Sequence, residues 1–373
     1  MDPVAHTLIG ASLAETGLKR LSPYATAALI IGANLPDIDV VADFWGEDTS
    51  LYFRRGWSHG ILALVILPLV LAGLLWCWDR WRSRKRAPGA SPPFRLGVIV
   101  ALCYVAVLSH PFLDWLNTYG VRILMPFDGR WFYGDTLFII DPWVWLLAAA
   151  GVVLAHSSHK LSISVWLLLG AIMSYVILST NLAALPVKVV WCVGVIAIIV
   201  LKWRAQIQAT QPMATVQPTF IEHVARSGVT LLALYIACVY GLARHAENQL
   251  FDPQRPPLEV QANPVPGVPF SHRRVVVFED EYQVITADGK QYSVPRSEPN
   301  DIVLTAMEDK SIRGFTNWMR YPYWRVEEQN NSWLVSFWDL RYQGPDMSGH
   351  AIGHVQVRVA KDRVEKERVE KEP

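Results

Sequence analysis

Six ionisable side chains stand at the ends of apolar runs, where an unpaired charge is costly. His6 opens the first apolar stretch. Asp37 and Asp39 follow the second, in ANLPDID at 33–39. His59 closes RRGWSHG, just ahead of a long apolar run, and His110 and Asp114 end the next one in SHPFLDWLNTYG. His110 and Asp114 are four apart, so on a helix they share a face, with Pro111 in the turn between them. Imidazoles and carboxylates together suit zinc, and carboxylate-rich sets suit manganese, iron or magnesium. A divalent ion would neutralise the carboxylates and use the imidazole nitrogens at once, whereas ionisable groups in membrane segments otherwise need partners. Taken singly, a histidine near a helix end is an ordinary interfacial side chain, and Pro-Asp is an ordinary turn. The set is what predicts a site: His6, Asp37, His59, His110 and Asp114 as ligands, and Asp39 as a ligand or an outer carboxylate that orients a histidine. Six donors exceed the need of one tetrahedral ion, so the expectation is one or two ions, zinc first among them.

The elements that must position these residues follow from hydropathy. The chain has 373 residues, 52% hydrophobic and 18% charged, with a mean hydropathy of +0.22. Soluble domains carry about 25% charged residues, so the balance predicts a polytopic α-helical membrane protein with a soluble part. Six stretches near 60–78, 96–115, 142–157, 162–181, 185–203 and 226–244 approach the roughly 20 residues that cross the hydrocarbon. Two shorter helices, 4–19 and 23–35, precede them and are marginal spans. The helical membrane domain with the metal site thus covers 1–245. Residues 246–270 are proline-rich and read as a stiff linker. Residues 271–360 alternate like strands and predict a β-rich soluble domain, with hairpin turns at Asp288-Gly289 and Asn330-Asn331 and a short helix at RGFTNWM. The tail, 361–373, alternates charge and reads as a solvated end.

Lysine and arginine in short loops set the orientation. Arg80, Arg82, Arg84, Lys85, Arg86 and Arg95 place the 79–95 loop in the cytoplasm, and Lys202 and Arg204 agree with it. Lys19 and Arg20 fit the same side if both short helices cross. All six donors, the 116–141 loop and everything after residue 245 then fall on the opposite face, which in a bacterial inner membrane is the periplasm. His156 and His159 fall on the cytoplasmic side and read as loop residues. The four cysteines all lie in apolar runs and form no CxxC metal motif. No basic region precedes the first apolar stretch, so no cleavable leader is expected. Topology explains the basic loop, and no P-loop or GxSxG motif is present, so nucleic-acid binding and serine-hydrolase chemistry are not expected.

The order His6-Thr7, Asn34-x-Pro36-Asp37-x-Asp39, Arg55-Gly56-x-Ser58-His59, His110-Pro111-x-x-Asp114 resembles the YdjM-like family of membrane-bound metal-dependent hydrolases. Thr118, Gly120, Pro126-Phe127, Tyr133-Gly134-Asp135 and Ile140-Asp141-Pro142-Trp143 continue the likeness. Arg313-Gly314-Phe315, Trp318 and Tyr321-Pro322 extend it more loosely. Gly60 stands where the family's usual serine follows the second histidine motif. The resemblance implies a metal-dependent hydrolase. On the residues themselves, Asp135 can take a proton from an attacking water, and Arg55 and Arg122 can pair an anionic substrate group. A site at the membrane surface would meet lipids or lipid-linked esters first. Two other readings stay open from the residues alone: a transporter or metal-permeation protein, and a structural membrane protein with a stapling metal.

Overall fold

The computed structural model describes residues 1–83, 93–157, 159–209, 218–248, 253–344, 347 and 353–365. Arg84, Lys85, Arg86, His350, linker residues 249–252 and the tail beyond 365 lie outside the described residues. The chain divides into two compact units. The first comprises 1–38, 55–242 and 264–271; the second comprises 39–54, 243–263 and 272–373.

The first unit is helical. Asp2 caps α1 (Pro3–Glu15) by accepting from the Ala5 amide, with Pro3 in the first turn, where a missing amide costs nothing. Helix α2 (Ala25–Asn34) packs on α1 through small residues: Ala14, Ala25 and Ala28 are fully buried, and a Cβ at Gly10 would stand 2.6 Å from Leu29 O. Pro36 lacks an amide donor, and from Leu35 the helix tightens into a 3-10 segment, Leu35–Trp45. α3 (Glu47–Phe53) follows in sequence and belongs to the second unit. Next come α4 (Ile61–Ser83), α5 (Leu96–Trp115) and α6 (Pro142–His156), capped by Asp141. α7 (Lys160–Ser179), α8 (Leu185–Ala209) and α9 (Pro218–Glu247) complete the helices of the membrane region.

Six helices among the described residues are long and apolar enough to cross a membrane. The count is the expected one, but its membership differs. Ala25–Trp45 qualifies because α2 runs on through the 3-10 segment, whereas Pro142–His156 falls among the shorter apolar helices. At 1.5 Å per residue, the 15 residues of α6 reach only about 22 Å. Val65, Ile66, Leu69 and Val70 on α4 and Val165, Leu167, Leu168 and Ile172 on α7 are exposed, an apolar surface suited to lipid.

The second unit is built on antiparallel sheets. One has the order β1 (Glu259–Val265), β2 (Val268–Val277), β3 (Glu281–Ile285), β4 (Gln291–Pro295). After α10 (Asp301–Met307) and α11 (Arg313–Trp318), the other has the order β5 (Pro322–Gln329), β6 (Ser332–Asp339), β7 (His354–Ala360). Both expected hairpins form. Gly289 takes φ +82° between β3 and β4, and the pairing of Gln329 with Ser332 leaves Asn330-Asn331 as a two-residue turn. Val275, Val284, Tyr282, Trp338 and Leu340 form a core. Beside it, Arg341 and Asp339 make a fully buried ion pair at 2.6 Å. Arg341 also donates to Trp318 O at 3.1 Å and lies 4.6 Å from the Trp318 ring centroid.

The RGF motif has a structural role in this unit. Asp48 of α3 accepts from the amides of Gly314, at 2.7 Å, and Phe315, at 3.3 Å, and so caps the start of α11. A Cβ at Gly314 would stand 2.2 Å from Asp48 O, so only glycine permits this approach. Arg313 covers Tyr52 of the same segment at 5.2 Å. Gly314→Ala is therefore expected to destabilise this unit by about 1–3 kcal/mol, the usual cost of overpacking. Thermal unfolding of the full-length protein in detergent checks this; an unchanged transition would mean that the α3–α11 contact carries no stability.

Candidate metal centre

A 3-10 segment, a turn and one α-helix bring the donors together. Asp37 comes from the 3-10 segment after α2, His59 from the turn before α4, and His110 and Asp114 from adjacent turns of α5. Pro111 sits inside α5 without ending it, so the four-residue spacing puts both side chains on one face as expected. Small residues allow α5 to approach α2: a Cβ at Gly32 would stand 2.7 Å from Ala106 Cβ. That closeness lets His110 Nδ1 donate to Ala33 O at 2.6 Å. The carbonyl can only accept, so the bond assigns the proton to Nδ1 and turns Nε2 toward the cluster.

The donor atoms of Asp37, His59, His110 and Asp114 all lie within 4.8 Å of one another. His59 Nε2 is 3.1 Å from His110 Nε2 and 3.2 Å from Asp114 Oδ2. His110 Nε2 is 3.5 Å from Asp114 Oδ2 and 3.6 Å from Asp37 Oδ1, and His59 Nε2 lies 4.0 Å from Asp37 Oδ1. Zinc–nitrogen bonds of about 2.0–2.1 Å imply ligand-to-ligand edges of about 3.3 Å in a tetrahedron. The observed separations bracket that value, so the four residues fit one ion. The chemistry of the set agrees: carboxylate oxygens and imidazole nitrogens face one another, and a cation resolves such a convergence of lone pairs.

His6 adjoins the four without joining them. Its ring stacks on His110 at 3.7 Å between centroids. Its Nε2 lies 3.3 Å from Asp114 Oδ1, yet neither ring nitrogen makes a hydrogen bond, although both are buried. The Met1 α-amino group lies against the same Asp114 oxygen. Asp114 therefore presents one oxygen to His59 and His110 and the other to His6. Asp39 is not brought in: it belongs to the second unit and faces Arg54, with Nε 3.7 Å from its Oδ1. His6, His59, His110 and Asp114 are fully buried, while the Asp37 side chain is 15% exposed. Of these five, Asp37 is the one that reaches the surface.

Arg55, expected to meet substrate, lies against Asp114. Its Nε is 3.0 Å from Asp114 Oδ2, and its Nη1 donates to Asn117 Oδ1 at 2.8 Å and Gly120 O at 3.1 Å. The guanidinium lies 4.5 Å from the Tyr119 ring centroid. A positive φ of 53° at Arg55 turns the side chain inward, and its carbonyl accepts from Arg122 N at 2.8 Å. Arg122 is itself buried, 4.9 Å from the Trp131 ring centroid. Asp135 is buried and also takes positive φ, 45°. Its neighbours Gly134 and Thr136 donate to Trp115 O and Leu116 O, which places this loop beside the end of α5. At Gly60, a Cβ would stand 2.2 Å from Met125 O. The 121–125 loop thus occupies the space that the usual serine needs.

Two residues escape sequence reasoning. Asn117 ties Arg55 to the Tyr119 amide, and the SHPFLDWLN run offers no periodic signal for it. His156, read as a loop residue, is the last residue of α6 and pairs with the buried Glu15 at 3.0 Å; only the fold brings residues so far apart in sequence together.

Fold and site define a multi-pass membrane protein with a buried His/Asp cluster that fits a metal ion. Residues 1–183 match the family described as YdjM inner membrane protein. All six predicted donors fall within the matched residues. A curated relative from Bacillus subtilis (strain 168), "Uncharacterized protein YfhP", is 23% identical over 178 residues, 44% of this chain and 46% of the relative. The chain thus spans less than half the length of that relative. No solved structure matches.

Arg55→Lys retains the charge but loses the fork that fixes Asp114. It is expected to weaken binding of an added divalent metal about 10–100-fold, as loss of an outer-shell partner does. Competition against a chromophoric chelator measures this, and unchanged affinity would show that Asp114 needs no clamp.

Proposed function

We propose that the protein is a membrane-embedded metal-dependent hydrolase. The observation that carries this reading is the convergence of Asp37, His59, His110 and Asp114 within coordination distance of one another. Zinc suits the two imidazoles best, with manganese, iron or magnesium as carboxylate-tolerant alternatives. A divalent ion in such a site supplies activation of water and polarisation of an ester oxygen. His6, next to Asp114 Oδ1, is a fifth donor or the start of a second site.

The chain's own groups do the rest. Arg55 fixes Asp114, and the Ala33 carbonyl fixes the His110 tautomer. Asp135, in a buried and constrained loop, is the group we assign to accept a proton from the attacking water. The substrate class that suits a site on membrane-spanning helices is a lipid or lipid-linked ester or phosphoester. The basic loops support a site on the periplasmic face.

One observation favours a second reading, a metal that only staples helices: four donors already close a tetrahedral shell. Against it stands the residual exposure of Asp37, which leaves an approach to the cluster. Elemental mass spectrometry of the detergent-purified protein tests both. One or two equivalents of metal, lost in His59→Ala and in Asp114→Ala, are expected. No metal after reconstitution with zinc and manganese would remove the basis of the proposal. In a screen of lipid phosphoesters, Asp135→Asn is expected to keep its metal while losing roughly 10²–10⁴-fold in turnover, the usual share of a general base. Metal retained with no ester hydrolysed by the parent protein would favour the staple.

A further inference from the structure

Away from the metal centre, a cavity of about 520 Å³ lies along α6, walled by α7 and α8. Its size falls within the roughly 300–1,000 Å³ of small-molecule sites. Trp145, Ala149, Trp166 and Met173 are among its apolar walls. Several polar groups in those walls bond within the protein: Trp191 Nε1 donates to Ser174 Oγ at 3.0 Å, and the Ser157 hydroxyl donates to Val153 O. The space therefore offers apolar surface along its length.

One end is different. Lys202 lines the cavity beside Trp203, its Nζ 3.3 Å from Leu154 O. Among the described residues no carboxylate comes within ion-pair distance of Lys202, and residues 142–221 contain no aspartate or glutamate. Arg204 is exposed two residues on. Helices α7 and α8 are peripheral, each only 11% buried over its apolar window, so the cavity adjoins surface of the kind that faces lipid. An ammonium with no carboxylate beside it, next to tryptophan at the end of a span, suits an anionic headgroup.

We propose that this cavity binds one anionic phospholipid of the surrounding bilayer, with an acyl chain along α6 and the phosphate on Lys202. The charge selects the headgroup, and the apolar walls hold the chain.

Native mass spectrometry of the full-length protein, released from nanodiscs of phosphatidylglycerol or phosphatidylcholine, tests this. One retained phospholipid per chain is expected, with phosphatidylglycerol preferred about fivefold, the factor that a single lysine supplies near a membrane surface. At Gly170, which lines the cavity, a Cβ would meet no atom within 4 Å, so Gly170→Phe fills the space without a backbone clash. That variant is expected to lose the lipid while keeping its thermal transition. Lys202→Gln is expected to keep a lipid and lose the headgroup preference. Equal retention in Gly170→Phe, or equal retention of both lipids by the parent protein, would overturn the proposal. A dimer that Gly170→Phe splits would overturn it too, by assigning the cavity to a neighbouring copy.

Discussion

Two imidazole nitrogens and two carboxylates lie within 4.8 Å of one another in a buried pocket. Such a convergence of acceptors costs free energy unless positive charge stands among them. Arg55 supplies a fixed part of that charge, at 3.0 Å from Asp114. Its other hydrogen bonds go to Asn117 and Gly120. The Met1 α-amino group stands against the other Asp114 oxygen, and the geometry of the four donors suits a shared divalent ion.

The helix packing around the site follows from this demand. Donors on α5, on the segment after α2 and on the turn before α4 meet only if the backbones approach closely. Small residues permit that approach, at Gly10 against Leu29 and at Gly32 against Ala106. In lipid, where hydrophobic burial does not drive helices together, close van der Waals packing of this kind is the main source of association. The same closeness delivers the Ala33 carbonyl to His110, so the contact that holds the helices also sets the tautomer of a donor. The loop after α5 adds to it by hydrogen-bonding back onto Trp115 and Leu116.

The second unit depends on a similar approach. Asp48 lies far from Gly314 in sequence, yet its carboxylate caps α11 and its carbonyl fills the space of a Cβ. The RGF motif thus has a packing explanation. Residues 39–54, between the helices of the first unit in sequence, join the second unit through this contact. Asp39 goes with them, which is why two carboxylates only two residues apart have different partners.

Much of this protein was legible in one dimension because its signals are periodic or local. Long apolar runs have to be helices in lipid, alternation with Asp288-Gly289 and Asn330-Asn331 has to be hairpins, and the four-residue spacing of His110 and Asp114 has to share a helix face. Asp37, His59, His110 and Asp114 could be chosen as donors because charge at the end of an apolar run needs a reason. The sequence could not say that α2 would run through Pro36 as a 3-10 turn while α6 stopped short, since the two runs have similar hydropathy. Nor could it part Asp39 from Asp37, set Arg55 against Asp114, or pair His156 with Glu15. Those outcomes depend on which backbones approach one another, and that is set by contacts between residues distant in the chain, which leave no periodic trace in the sequence.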